Sequence, residues 1–321
     1  MKKMKFLTAL LALILAVAMI PTFAACSKKQ YTVGICQLVQ HEALDAATQG
    51  FIDTLKAEFG DNITFLNENA AGDVPTCTTI VNNFVSKKVD LILANATPAL
   101  QAAANGTDTI PVLGTSITEY GTALNIENFS GTVGGNVSGT SDLAPLADQA
   151  SMITELFPEA KTVAILYCTS EANSAYQVKV VKAELEAKNI TVDLCGFTDS
   201  NDVATAANKA KAADVIYIPT DNTAASSAEA INGYIGNTPV IAGEEGICKK
   251  CGVATLSISY YDLGKTTGEM AIKILKGTAK VETMKIEYTS AIKKYNATKC
   301  AQLGIDTAAL EAKGYTAIAA D

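Results

Sequence analysis

The chain lacks arginine and tryptophan altogether, and its only histidine is His41. Without arginine it cannot form the bidentate guanidinium clamp by which proteins most often hold a carboxylate or a phosphate. One histidine is too few for a multi-histidine metal site and leaves little room for a Ser-His-Asp triad. These absences favour binding over catalysis, and the sequence predicts neither a metal site nor a cofactor.

Basic residues are also in the minority. The chain has 25 lysines against 33 acidic residues, and its formal net charge is −8. Nucleic acid is therefore not an expected partner, because phosphate contacts need a basic surface. Hydrophobic residues make up 49% of the chain and charged residues 18%, a balance typical of globular proteins. At about 150 residues a domain, the length of 321 residues suggests two domains.

The N-terminus has the pattern of an export signal. Three lysines precede an apolar run from Phe6 to Ile20, which is too short to span about 30 Å of hydrocarbon comfortably. The following Ala24-Ala25-Cys26 resembles the cleavage site of bacterial lipoproteins. That resemblance implies that residues 1–25 are a signal peptide, that Cys26 receives the lipid, and that residues 26–30 tether the protein to the cell membrane. The alternative is an ordinary secretory signal with an incidental cysteine.

From Tyr31 the chain alternates short apolar segments with longer helical patterns, which is typical of parallel α/β folds. Landmarks of the first half recur in the second half in the same order. The recurrence predicts two Rossmann-like, doubly wound lobes, and chance similarity of unrelated α/β units is the alternative. Thr32–Cys36 matches Thr162–Leu166, Asp90–Ala94 matches Asp214–Ile218, and Ile110–Gly114 matches Thr238–Gly243.

Two segments are suited to carry the chain between the lobes. They are the Gly/Ser/Thr-rich stretch Gly131–Gly139 and the segment Ile258–Tyr261. Several such crossings would form a multi-strand hinge instead of a single flexible linker. We therefore expect a first lobe of residues 31–137 plus about 259–290, and a second lobe of residues 138–258 plus about 291–321.

Polar clusters follow the predicted strands, at the edge where doubly wound lobes bind ligands. Several lead into helices, whose free N–H groups attract a carboxylate, and the acids Glu171, Asp221 and Glu244 could pair with an ammonium group. Together they describe a site for a zwitterion, although simple N-capping is the better explanation for any one cluster alone. His41 could donate to a carboxylate, stack on a ring, or be a partly exposed cap residue. The candidate ligand-binding residues are Gln37, His41, Thr97, Thr115, Ser116, Ser141, Asp142, Glu171, Asn173, Ser174, Thr220, Asp221, Asn222 and Glu244.

Besides the predicted lipidation site, the chain has seven cysteines. Cys36, Cys168 and Cys195 lie in or beside apolar strand-like segments and are expected to be small core residues. The close pair Cys248-Lys-Lys-Cys251 has no second pair at zinc spacing. Because Gly252 follows directly, we expect this pair in a loop, and the sequence leaves open whether it forms a disulfide.

Five motifs resemble those of one family, in their residues and in their order. It is the family of substrate-binding lipoproteins of ABC transporters, in the branch whose better-known members bind tryptophan, tyrosine or phenylalanine. The resemblance extends from about Tyr31 to Leu303. It implies a type I periplasmic-binding-protein fold and delivery of a small solute to the permease subunits of a transporter. The motifs are Val33–His41, Ala96–Ala99, Ser170–Ser174, Pro219–Thr223 and Tyr260–Gly264.

The resemblance also implies roles for particular residues. It does not fix the ligand, and Tyr120, Phe129 and Tyr167 are candidates to stack against an aromatic one. The cleft motifs of the family correspond here to Gln37, Thr97, Ser141, Glu171, Asn173, Ser174, Thr220, Asp221, Asn222 and Glu244.

These patterns together predict a binding protein and not an enzyme. We expect the extracytoplasmic component of an ABC importer, which closes two lobes over a small zwitterion, with an aromatic amino acid as the expected ligand. The alternatives are a purine-nucleoside or sugar receptor of the same fold, or a sensor subunit for a signalling partner. An exported α/β enzyme is disfavoured, because the sequence has no nucleophile elbow and no phosphate-binding glycine loop.

Overall fold

The computed structural model describes residues 29–319, so the predicted signal peptide and Cys26 lie outside the described residues. Within that range, short runs rich in β-branched and apolar residues form thirteen strands. In chain order they are β1 Tyr31–Gln37, β2 Ile63–Asn69, β3 Leu91–Asn95, β4 Val112–Ile117, β5 Val137–Ser141, β6 Thr162–Cys168, β7 Thr191–Phe197, β8 Val215–Ile218, β9 Val240–Ala242, β10 Ala254–Ser257, β11 Glu287–Tyr288, β12 Ile292–Tyr295 and β13 Thr316–Ala317.

Thirteen α-helices connect these strands over residues 29–319, and none of them is long and apolar enough to cross a membrane. Two 3-10 helices, Gly60–Asn62 and Val281–Thr283, accompany them. The α-helices are α1 Glu42–Phe59, α2 Val74–Lys87, α3 Thr97–Gly106, α4 Tyr120–Leu124, α5 Leu146–Leu156, α6 Ala172–Glu186, α7 Val203–Ala210, α8 Asn222–Ser226, α9 Ala228–Ile235, α10 Glu245–Cys251, α11 Tyr260–Leu275, α12 Ala297–Leu303 and α13 Thr307–Ala312.

The strands form two sheets with the same internal order. The first sheet runs β11-β5-β4-β3-β1-β2 and is parallel throughout. The second runs β13-β12-β10-β9-β8-β6-β7, and only β12 is antiparallel to its neighbour β10. Because β2-β1-β3-β4-β5 corresponds to β7-β6-β8-β9-β10 position by position, the predicted duplication and the two doubly wound lobes are confirmed.

The central strands are buried on both faces, as expected for parallel sheets covered by helices. Every residue of β3 and of β4 is buried, and so is every residue of β8 and of β9. Helices therefore cover both faces of each sheet, and the carboxyl ends of the strands are the edges that remain for a site.

The chain crosses between the two sheets three times. It leaves the first sheet after β5, returns after β10 through α11, and leaves again between β11 and β12. The stretch Gly131–Gly139 thus precedes the first crossing instead of forming it, because β5 pairs with β4 in the first sheet. The second crossing lies beside the predicted segment Ile258–Tyr261, where Tyr260 already begins α11.

Helices α1 and α11 contact each other backbone to backbone on the first sheet. A Cβ atom at Gly264 would lie 2.0 Å from the carbonyl oxygen of Ala47, and one at Gly50 would lie 2.1 Å from that of Tyr261. Only glycine fits at these two positions. The segment that returns from the second sheet is therefore held closely against the helix that follows β1.

The prediction of a loop at Cys248–Cys251 is wrong, because this segment belongs to α10. Glu244 caps the helix by accepting hydrogen bonds from the N–H groups of Gly246 and Ile247, and Gly252 ends the helix instead of preventing it. Both cysteines are buried free thiols, as are the other five that the structure describes. The expectation that Cys36, Cys168 and Cys195 are core residues is confirmed.

Candidate functional site

The residues predicted for the site lie at the carboxyl ends of strands from both sheets. Those of the first sheet are Gln37 at the end of β1, Thr97 after β3, Thr115 and Ser116 in β4, and Ser141 and Asp142 at the end of β5, with His41 directly before α1. Those of the second sheet are Glu171, Asn173 and Ser174 after β6, Thr220, Asp221 and Asn222 after β8, and Glu244 after β9.

Glu171 uses both carboxylate oxygens within its own lobe. Oε2 accepts hydrogen bonds from the backbone N–H of Asn222 at 3.0 Å and from its side-chain amide at 2.7 Å. Oε1 accepts from the backbone N–H of Thr223 at 2.9 Å and from its hydroxyl at 2.8 Å. The carboxylate therefore holds the start of α8 against the loop after β6, a capping role.

Asp221 and Glu244 are engaged in the same way. Oδ1 of Asp221 accepts from the N–H of Ala224 at 2.7 Å, and Oδ2 accepts from the N–H of Cys168 at 2.6 Å and the hydroxyl of Ser174 at 2.7 Å. Burial and the charge of Glu171 raise the pKa of Asp221 to about 8, and burial raises the pKa of Glu244 to about 7. All three acids predicted for an ammonium group act as helix caps.

Several hydroxyl and amide candidates are also satisfied internally. Gln37 donates to Oδ1 of Asp45 at 2.6 Å and accepts from the hydroxyl of Thr48 at 2.7 Å, so its side chain faces α1. The hydroxyl of Thr115 accepts from those of Thr140 and Thr267, beneath α11. Ser141 donates to the carbonyl oxygen of Thr118 at 3.0 Å. Thr97 is buried in the first turn of α3.

Asp142 differs from the other acids of the site. It is 4% exposed, and its Oδ2 accepts a hydrogen bond from the hydroxyl of Tyr260 at 2.9 Å. Its Oδ1 finds no hydrogen-bond partner of standard geometry among residues 29–319, although the Thr118 hydroxyl lies nearby. Burial raises the pKa of Asp142 to about 6, and the hydrogen bonding of Tyr260, of Thr118 and of its own N–H opposes that rise.

Three predicted site residues carry a buried polar atom without a hydrogen-bond partner among the described residues: Oγ of Ser116, Oδ1 of Asp142 and Oδ1 of Asn173. The side-chain amide of Asn173 donates to the carbonyl oxygen of Thr220 at 3.1 Å, and the Thr220 side chain also lies beside the Tyr260 hydroxyl. Thr220 thus contacts Asn173 of its own lobe directly and Asp142 of the other lobe through the Tyr260 hydroxyl. Buried polar atoms are normally paired, so these unpaired ones are candidates for contact with a ligand or a water molecule.

Four other buried atoms of residues 29–319 are unpaired as well, on Asn95, Thr255, Thr289 and Tyr315. Asn95 ends β3, and its amide donates to the carbonyl oxygen of Leu44 and the hydroxyl of Thr48. It therefore faces α1 together with Gln37, outside the group around Thr220.

Side chains from the two lobes also contact each other farther out. Nε2 of His41 lies 3.4 Å from Oδ1 of Asn222, and Nζ of Lys249 lies 3.2 Å from Oε1 of Glu42. Burial lowers the pKa of His41, and the Asn222 contact and nearby carboxylates oppose that shift. We call these two pairs the bridging contacts.

Two small clefts adjoin the bridging contacts, each with a volume of about 180 Å³. One is lined from the first lobe by Gln40 and His41 and from the second by Ser226 and Glu244. The other is lined by Val39, Pro98, Ser170, Glu171 and Thr223 among others. The facing edges of the lobes are thus close together, and His41 lines the first of the two clefts.

The three aromatic residues predicted to stack against a ligand are packed within their own lobes and not exposed to these clefts. Tyr120 is fully buried, donates to the carbonyl oxygens of Gly114 and Thr140, and stacks on Phe129 with 6.3 Å between ring centroids. Tyr167 packs against the core of the second lobe. The predicted set omits Tyr260, whose hydroxyl donates to Asp142 and whose sequence signal was its place in a family motif beside a crossing.

The comparisons with known proteins agree with this arrangement. The family of ABC transporter substrate-binding proteins matches residues 32–310. A protein of Clostridioides difficile (strain R20291) described as a tyrosine-binding protein is 39% identical over 260 residues, which cover 78% of this chain and 74% of that protein.

Two solved structures are similar over nearly the whole described chain. An ABC domain from Streptococcus pneumoniae in complex with L-Trp matches with a TM-score of 0.84 at 31% identity, covering 90% of this chain and 100% of that one. The ligand-free, open structure of a substrate-binding protein with adhesive properties from Clostridium difficile matches with a TM-score of 0.68 at 35% identity, covering 91% and 100%. Together with the two doubly wound lobes, these matches show that the chain belongs to the family of ABC transporter substrate-binding proteins.

Proposed function

We propose that this protein is the extracytoplasmic binding component of an ABC importer and that it captures an aromatic amino acid between its two lobes. The observation that carries the proposal is the pair of unpaired buried oxygens on Asp142 and Asn173, which belong to opposite lobes and are connected through Thr220 and the Tyr260 hydroxyl. A polar ligand enclosed there would contact both lobes. Relatives described as tyrosine-binding or solved with L-Trp support an aromatic amino acid as that ligand.

Capture by closure explains the bridging contacts. A ligand that contacts both lobes favours the closed state by its differential affinity for it. The chain superposes less well on the open, ligand-free relative than on the L-Trp complex, although its sequence identity to the open relative is higher. This difference supports a closed arrangement of the lobes, in which His41 reaches Asn222 and Lys249 reaches Glu42.

The remaining parts of the proposal follow from the sequence and the family. Cys26 would carry the lipid that holds the protein to the outer face of the cell membrane, with residues 26–30 as the tether. The closed pair of lobes would be recognised by the permease subunits of the transporter. The protein would transfer its ligand unchanged, because the polar groups of the site are arranged as caps and binding groups and not as an acid–base pair acting on a substrate.

Calorimetry on protein lacking residues 1–26 tests the proposal. We expect L-tryptophan, L-tyrosine or L-phenylalanine to bind. At a ligand concentration of 100 Kd, binding should raise the free energy of unfolding by about 2.7 kcal/mol, which is detected as a higher melting temperature. L-Leucine, guanosine and ribose are titrated separately as controls, and they represent an aliphatic amino acid, a purine nucleoside and a sugar. No heat with any aromatic amino acid, or tighter binding of the nucleoside or the sugar, would contradict the proposal.

A further inference from the structure

The acidic residues where the two lobes face each other differ in how many hydrogen bonds their carboxylate oxygens already accept. Glu171, Asp221 and Glu244 each accept hydrogen bonds at both oxygens from groups of the second lobe. An ammonium group could approach them only by replacing helix caps. Asp142, in contrast, is held at Oδ2, and its Oδ1 has only the Thr118 hydroxyl nearby, with no hydrogen bond of standard geometry among residues 29–319.

We propose that Asp142 is the acceptor for the positively charged amino group of the ligand, and that Tyr260 is a positioning residue that holds the carboxylate for it. This assignment rests on the proposed function and specifies its substrate class: ligands must carry a free α-ammonium group. Ionised carboxylates form the strongest hydrogen bonds to such a group, and a buried carboxylate needs a partner charge to offset its desolvation.

The Tyr260 hydroxyl fixes which oxygen is available. It donates to Oδ2 at 2.9 Å, so the carboxyl group cannot rotate without breaking a buried hydrogen bond. Tyr260 begins α11, directly after the second crossing, whereas Asp142 directly follows β5 at the first crossing. The acceptor is therefore placed where two crossing segments of the hinge meet.

Asn173 supplies a second acceptor from the opposite lobe. Its side-chain nitrogen lies within hydrogen-bond distance of Oε2 of Glu171, Oγ of Ser174 and the carbonyl oxygen of Thr220. These three acceptors fix the orientation of the amide and leave Oδ1 as the unpaired atom. An ammonium group has three donors, so a ligand ammonium that reached both Oδ1 of Asp142 and Oδ1 of Asn173 would link the lobes.

The test compares L-phenylalanine with L-phenyllactate, which has a hydroxyl in place of the ammonium group. Calorimetry on wild-type protein and Asp142→Asn measures the affinity ratio of the two ligands. We expect wild type to prefer phenylalanine by at least about 30-fold, the loss that follows from leaving a buried charge pair incomplete. Asp142→Asn, which keeps the shape of the side chain, should reduce this preference to less than about 3-fold.

Two further variants make the result specific. Tyr260→Phe removes only the positioning hydroxyl, and we expect it to reduce the preference for phenylalanine partly, with unchanged secondary structure by circular dichroism. The matched control is Asp214→Asn, an Asp that accepts N–H groups of Lys161 and Thr162 at the amino end of the second sheet. It should leave the preference as in wild type.

The outcomes separate the assignment from the proposed function. If wild type binds phenylalanine and Asp142→Asn or Tyr260→Phe retains the full preference, the assignment is overturned and the proposed function stands. If wild type binds phenyllactate as tightly as phenylalanine, the assignment is also overturned. If wild type binds guanosine or ribose and no aromatic amino acid, both are overturned. Because Tyr260→Phe reports on the same ratio, the assignment stays falsifiable even if Asp142→Asn does not fold.

Discussion

Burial removes three carboxyl groups of the site from water, which disfavours their charged forms. They belong to Asp142, Asp221 and Glu244. Burial raises their pKa values to about 6, 8 and 7 respectively, against roughly 4 in an unfolded chain. Between the unfolded and the folded values, the folded state holds more protons than the unfolded state. The free energy of unfolding therefore increases as the pH falls through this window.

We expect the ligand-free protein to be more stable at pH 6.5 than at pH 8, by roughly 1–3 kcal/mol. The range stops at pH 6.5 because His41, whose pKa burial lowers, acts in the opposite direction below its ordinary value. Urea midpoints at the two pH values measure the effect. Glu244→Gln removes one titrating group and should give a smaller difference. Equal midpoints in wild type, or a lower midpoint at pH 6.5, would contradict the raised pKa values.

The chemistry of single residues was only partly predictable from the sequence. Doubly wound lobes place polar residues at strand ends, and the fourteen predicted site residues lie there or at the helix starts beside them. An acid that caps a helix and an acid that faces a ligand look alike in sequence, because the difference is where the lone pairs point. The pairing of Asp142 with Tyr260 joins residues 118 positions apart and follows from the crossings.

At the scale of elements, the alternation of strands and helices and its recurrence in the second half were predictable, whereas local boundaries were less so. The matched segments reflect buried strands, whose apolar runs are imposed by burial on both faces. Gly131–Gly139 looked like a crossing because glycines favour irregular backbone, yet the end of this stretch pairs with β4. Cys248–Cys251 looked like a loop because of Gly252, but an N-cap at Glu244 is enough to begin a helix of seven residues.

The close contact of α1 with α11 gives a prediction at this scale. Gly264→Ala would place a Cβ atom 2.0 Å from the carbonyl oxygen of Ala47, so the helices must separate. We expect a loss of about 2–4 kcal/mol in the free energy of unfolding, measured by urea denaturation. Gly233→Ala is the matched control, because it lies in α9 with no heavy atom within 4 Å of the added carbon among the described residues.

Gly233→Ala should stabilise the protein by about 0.5–1 kcal/mol, since alanine is the better helix former. Opposite signs for the two substitutions are the expected result. If Gly264→Ala were neutral, α11 would not be held against α1 as the structure shows, and the helix after the second crossing could not position Tyr260 at its first residue.

At the scale of the whole molecule, the relation between the lobes could not be predicted from sequence. Each lobe is determined by its own apolar pattern, whereas the contacts between lobes join side chains that are far apart in the sequence. The bridging contacts join residues 181 positions apart for His41 and Asn222, and 207 apart for Glu42 and Lys249. A partly exposed ion pair such as Lys249–Glu42 contributes little free energy, so we expect a ligand to decide between the open and closed states.

We expect His41 to make closure sensitive to pH, because opening would separate its ring from Asn222 and return the imidazole to water. Burial lowers the pKa of His41 in the arrangement described, against the opposing effect of Glu171, Asp45 and Glu42. A group with a lowered pKa disfavours protonation, so the closed state loses stability as the pH falls through the open-state value of about 6.5.

We therefore expect the radius of gyration of the protein at a half-saturating concentration of its ligand, measured by small-angle X-ray scattering, to increase between pH 7.5 and pH 5.5. His41→Gln keeps a polar side chain that does not titrate, and it should reduce that increase. Asp142 and the other buried acids titrate in both proteins, so the difference between the two profiles isolates the histidine. Identical profiles would mean that His41 is equally buried in the open and closed states, and the contact with Asn222 would then have no part in closure.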